Sequence, residues 1–129
     1  NKGKYSLAPI YDNGSSFYNK IDKEKASDIL NNKEKFISSA YLSRVSMFEE
    51  NGKKINPYKL IESMKYKDCN RILLKIFPLL NLEKIYNIID EVPAYFNNNE
   101  VFSNEVKLFY KETIKYGYEV LSRVYNNLQ

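Results

Sequence analysis

The chain has 129 residues, 43% of them hydrophobic, and a formal net charge of +4. That length and composition fit one globular domain that can bury a core without disulfides or metals. There is no histidine and the single cysteine is Cys69, so Ser-His-Asp, Cys-His and H-E-x-x-H chemistries and an intrachain disulfide are excluded for the chain by itself. The unpaired cysteine and the lack of a membrane-length apolar run lead us to expect a cytoplasmic protein.

Residues 1–20 differ in composition from the remainder. Tyr5, Leu7 and Ile10 predict a short strand, and residues 12–16 predict a turn or loop. The N-terminus is polar, lacks an initiating Met and has no signal-peptide character. We therefore expect Asn1 to be an internal position of a longer protein.

Residues 22–56 predict a short helix, a polar stretch and a hairpin. Residues 22–31 form the helix, with Asp22 as its N-cap and an apolar face of three residues: Ala26, Ile29 and Leu30. Residues 31–40 are polar with one candidate for burial, Phe36. In residues 43–56, Val45, Phe48 and Ile55 flank Asn51-Gly52, which suits a type I′ turn and predicts a hairpin.

From Asn56 onward the pattern is helical. Asn56-Pro57, Asp68, Asn81 and Ser103 begin four helices, Pro78 and Pro93 end the second and third, and Asn97-Asn98-Asn99 predicts a loop. The apolar positions expected to face inward are Leu60, Ile61, Met64, Ile72, Leu73, Ile76, Phe77, Leu82, Ile85, Tyr86, Ile88, Ile89, Val106, Phe109, Tyr110, Thr113, Gly117, Val120, Leu121, Val124 and Leu128.

These elements predict a single, mainly α domain over residues 1–129. We expect a helical bundle of about four to five helices, with a short N-terminal strand and a β-hairpin. The connections are short, so neighbouring helices should pack roughly antiparallel.

The segment Ser6 to Ser16 is the best candidate for chemistry. An apolar strand leads into Asp12, and Gly14 follows at the D-x-G spacing of the metal-binding turn of kinases. Phosphoryl transfer needs a carboxylate held rigidly beside the nucleotide phosphates to bind Mg²⁺. By itself the spacing is common in ordinary turns, where the aspartate only caps its own backbone.

The longer string L-A-P-I-Y-D-N-G-S-S-F resembles the signature of HipA-like serine/threonine kinases. The resemblance implies that Asp12 is the Mg²⁺-binding counterpart of the protein-kinase DFG aspartate, and that a mainly helical C-terminal lobe follows. The stretch Gly52 to Asn56 before a helix is also familiar in the family. The specific match covers about eleven residues, and Ser15 and Ser16 within it are best interpreted as turn formers.

The family also needs a catalytic aspartate and a metal-binding asparagine, typically in a D-x-H-x-x-N string, and an N-terminal lobe that carries the nucleotide-anchoring lysine. These 129 residues contain no such string. The resemblance therefore implies no catalytic residue in this chain, Mg and ATP as cofactors of a longer protein only, and no catalysis by the chain alone. The implied partners are a protein substrate, the N-terminal lobe and an antitoxin-like protein.

An alternative hypothesis is a basic helical module that binds nucleic acid or a partner helix through the last helix. That helix carries alternating tyrosines and cations: Tyr110, Tyr116, Tyr118, Tyr125, Lys107, Lys111, Lys115 and Arg123. Tyrosines that edge the core account for the same pattern and are favoured, which makes nucleic acid an unexpected partner. Arg44 and Arg71 are equally suited to form buried ion pairs or to bind phosphate. Cys69 has no neighbouring base to activate its thiol. An interaction domain without chemistry is a third hypothesis.

Overall fold

The computed structural model describes residues 21–41, 52 and 56–129. Within them the chain forms α1 (Lys23–Leu30), α2 (Lys33–Tyr41), α3 (Pro57–Glu62), α4 (Lys67–Ile76), a 3₁₀ turn (Phe77–Leu79), α5 (Leu82–Glu91), β1 (Tyr95–Phe96), β2 (Asn99–Glu100) and α6 (Asn104–Leu128). The mainly α class with an antiparallel hairpin is confirmed. The predicted N-terminal strand and the predicted hairpin in 43–56 lie outside the described residues, apart from Gly52, whose φ is 71°.

Side-chain caps begin most of the helices where the sequence predicts them. The caps accept a hydrogen bond from the third helical amide at Asp22 (2.8 Å), Asn56 (3.1 Å), Asn81 (2.9 Å) and Ser103 (3.3 Å). Each satisfies a backbone donor that the first turn would leave unpaired. The prediction for Asp68 is wrong: Tyr66 is the N-cap of α4, and Asp68 lies inside the first turn, where its charge is favourable to the helix dipole.

Helix α2 is a structured element where the sequence predicts only a polar stretch. The Asn32 side chain accepts a hydrogen bond from the Lys35 amide at 3.0 Å and so caps the helix start. Ala40, one turn beyond Phe36, is buried, and the Phe36 ring meets Tyr116 edge-on at 6.1 Å. The apolar face of α2 consists of Phe36 and Ala40, so the helical period of apolar residues is weak in this part of the sequence.

A hairpin with a two-residue turn lies where the sequence predicts a loop at residues 97–99. Tyr95 pairs with Glu100 and Phe96 with Asn99, while Asn97 and Asn98 have φ of 48° and 63°. Two successive positive φ values define a type I′ turn, and asparagine tolerates them better than other residues with a side chain. The Asn-Asn pair was therefore the signal for a hairpin between α5 and α6.

Helix α6 is the axis on which the other helices pack. It has 25 residues, which makes it about 37 Å long. The predicted inward face is confirmed at its buried positions: Val106, Phe109, Gly117, Val120 and Val124. A core cluster joins Val106 and Phe109 to Ala26 and Ile29 of α1.

The contact between α4 and α6 depends on Phe77. Its ring centroid lies 4.9 Å from that of Tyr118 and 4.8 Å from that of Tyr125, and Phe77 is buried. Leu73 is partly buried, whereas Ile72 and Ile76 are about half exposed, at 51% and 49%. The prediction that these two isoleucines face inward is wrong. A helix advances about 100° per residue, so Ile76 lies about 100° around the helix axis from the neighbouring, buried Phe77.

The prediction that Ile88 of α5 faces inward is also wrong, since this residue is 57% exposed. Leu82, Ile85, Tyr86 and Ile89 are partly buried, as their predicted inward orientation requires. Met64 lies beyond the end of α3 with φ of 50° and is 37% exposed, so it does not extend the inward face of that helix.

Gly117 allows α3 to approach α6 closely. A methyl group at this position would lie 2.6 Å from the Tyr58 hydroxyl oxygen and 3.5 Å from the ring carbon that bears it. The first distance is a steric overlap and the second is an ordinary contact. Glycine in mid-helix is otherwise unfavourable by about 1 kcal/mol relative to alanine, so the close approach accounts for it.

We predict that Gly117→Ala lowers the free energy of unfolding by about 1–2 kcal/mol, because the methyl group overlaps the Tyr58 hydroxyl. In a Tyr58→Phe background the same alanine should raise stability by up to about 1 kcal/mol, since only its helix propensity remains. Urea denaturation of the four proteins of this cycle measures both effects. A loss of equal size in both backgrounds would contradict the assigned contact.

We also predict that Phe77→Ala costs about 3 kcal/mol of unfolding free energy, since it leaves a cavity between two tyrosine rings. Ile76→Ala, the adjacent half-exposed position, serves as the control and should cost about 1 kcal/mol. Thermal or urea denaturation followed by circular dichroism gives both values. Equal costs at the two positions would show that α4 has a different orientation on α6.

Candidate functional site

The candidate metal ligand Asp12 and the neighbouring Ser15 and Ser16 lie outside the described residues. What the structure describes is the place where the segment that carries them joins the helical body. Ile21 packs against the core cluster of Ala26, Ile29, Val106 and Phe109. The chain that follows Asp12 is therefore anchored on α1 and α6 from Ile21 onward.

Ion pairs hold both ends of α1 to its neighbours. Lys23 lies 3.3 Å from Glu100 of the β1–β2 hairpin, and the hydrogen bond with Glu100 raises the pKa of Lys23. At the other end Lys35 of α2 donates to both carboxylate oxygens of Asp28 at 2.8 Å, which lowers the pKa of Asp28. Such exposed pairs add little stability but orient α1 between the hairpin and α2.

No group of three or more histidine, cysteine, aspartate or glutamate side chains is arranged to hold a metal ion among residues 21–41, 52 and 56–129. Cys69 is an exposed thiol on the first turn of α4. None of the helices in the described part of the chain is long and apolar enough to cross a bilayer.

Three of the four cations on α6 are engaged with neighbouring elements. Lys107 donates to the Asp90 carbonyl oxygen at 2.8 Å, and Lys111 forms an ion pair with the Asp90 carboxylate. Arg123 lies 3.6 Å from Glu62 of α3. These cations join α3 and α5 to α6, which weakens the hypothesis of a nucleic-acid surface on the last helix.

Two further residues bear on that hypothesis. Arg71 pairs with Asp68 at 3.2 Å within α4, so it serves as a surface ion-pair partner. Arg44, the other arginine for which an ion pair or a phosphate contact was predicted, lies outside the described residues.

The tyrosines of α6 pack on phenylalanines of the bundle. Tyr110 lies 5.5 Å from Phe102 and 5.9 Å from Phe109, measured between ring centroids, and burial raises the pKa of Tyr110. Tyr116 contacts Phe36, and Phe77 contacts Tyr118 and Tyr125. These four tyrosines are partly buried and edge the core, as the sequence favoured.

We predict that the chain loses stability as the pH rises above about 10. Burial raises the pKa of Tyr58, Tyr86 and Tyr110, so the folded state keeps these protons at a pH where the unfolded state has released them. The stability they contribute is present below the unfolded pKa and is lost as the pH rises through the folded pKa. Urea denaturation at a series of alkaline pH values measures the loss.

Replacing all three tyrosines with phenylalanine should reduce this alkaline loss, with each variant referred to its own stability near neutral pH. An undiminished loss in the triple variant would contradict the assignment to these three hydroxyls.

Comparison with known proteins finds a similarity to a protein kinase. No protein-family model matches the chain. Over 94 residues, 72% of its length, the chain is 35% identical to the serine/threonine-protein kinase CtkA of Helicobacter pylori. The chain is homologous to CtkA.

The crystal structure of the H. pylori proinflammatory kinase CtkA matches 98% of this chain with a TM-score of 0.80 and 27% sequence identity. The helical architecture is thus shared with part of a kinase. The sequence match spans 29% of CtkA, and the structural match spans 43% of the crystallised chain. The chain accordingly corresponds to less than half of its relative.

Proposed function

We propose that the chain is the C-terminal helical lobe of a HipA-like serine/threonine kinase and supplies the Mg²⁺-binding aspartate, Asp12, for ATP-dependent phosphoryl transfer in a longer protein. The observation that carries the proposal is the match to CtkA, at a TM-score of 0.80 over 98% of the chain. The L-A-P-I-Y-D string also supports it through its resemblance to the HipA-like signature.

Asp12 would act by charge and position. A Mg²⁺ ion held by Asp12 would supply positive charge against the phosphates of ATP, so this carboxylate would have to be held rigidly. The sequence predicts that Asp12 follows a short strand, whose end would be a rigid place, and Gly14 would let the backbone turn away from the nucleotide. Ile21, the first described residue after Asp12, contacts the α1–α6 core and would anchor the chain that follows this turn.

The other parts of the machinery would come from residues outside these 129. They are the catalytic aspartate and metal-binding asparagine of a D-x-H-x-x-N string, the phosphate-covering loop and the nucleotide-anchoring lysine. The chain alone would therefore transfer no phosphate and would bind Mg²⁺ negligibly, since one carboxylate without nucleotide phosphates is a poor site. We place the longer protein in the cytoplasm, acting on a protein serine or threonine, with an antitoxin-like protein as a further partner.

The test is phosphate transfer from ATP by the full-length protein, with Asp12→Asn compared with the parent. We expect a loss of at least about 100-fold in rate, because the metal loses its charged ligand while the side-chain shape is kept. Asp68→Asn is the matched control, since the Asp68 side chain is 87% exposed on α4; its rate should equal the parent rate.

Full activity of the Asp12→Asn protein would refute the assigned role of Asp12. A parent protein that hydrolyses or transfers no phosphate from Mg-ATP to any serine or threonine acceptor, itself included, would refute the kinase proposal as a whole.

A further inference from the structure

We draw no further inference here: the strongest candidate, the exposed apolar face that Ile72, Ile76 and Leu79 form on α4 and the 3₁₀ turn after it, carries none, because nothing in the structure shows what covers it.

Discussion

The buried face of α6 is the constraint on which the described structure depends. Helices α1 to α5 contribute apolar side chains to one 25-residue helix, and each orientation follows from what α6 presents at that level. Near its start Val106 and Phe109 form a core with α1. In its middle Gly117 leaves room for the Tyr58 hydroxyl of α3. Toward its end Tyr118 and Tyr125 enclose Phe77 and so fix α4.

This arrangement links the scaffold to the candidate chemistry. Ile21, the first described residue after Asp12, packs on the α1–α6 core. The Lys23–Glu100 pair joins the start of α1 to the hairpin. In the proposed kinase these contacts would hold the metal-binding turn in a constant position relative to the lobe. Homology to CtkA and a shared fold over nearly the whole chain support the proposed kinase lobe, which would give the Asp12 motif and the helical bundle one function.

Features set by local interactions could be predicted from the sequence. Caps such as Asn81 and Ser103 satisfy nearby amides, and the long apolar period of α6 survives any detail of packing. The rotation of α4 could not be predicted, because residues 72, 73, 76 and 77 are all apolar and only the tertiary contact of Phe77 decides which pair is buried. The site itself was predicted from a family resemblance, since Asp12 and Gly14 alone do not distinguish a metal ligand from an ordinary turn.

The most direct test of the central claim is to determine the coding sequence upstream of Asn1. A kinase lobe of the proposed type requires a D-x-H-x-x-N string, with its catalytic aspartate and metal-binding asparagine, within roughly 30 residues before Leu7. Finding that string would supply the catalytic aspartate and the metal-binding asparagine that the proposed site needs beside Asp12. An upstream sequence without it would contradict the kinase assignment, whatever the similarity of the helices.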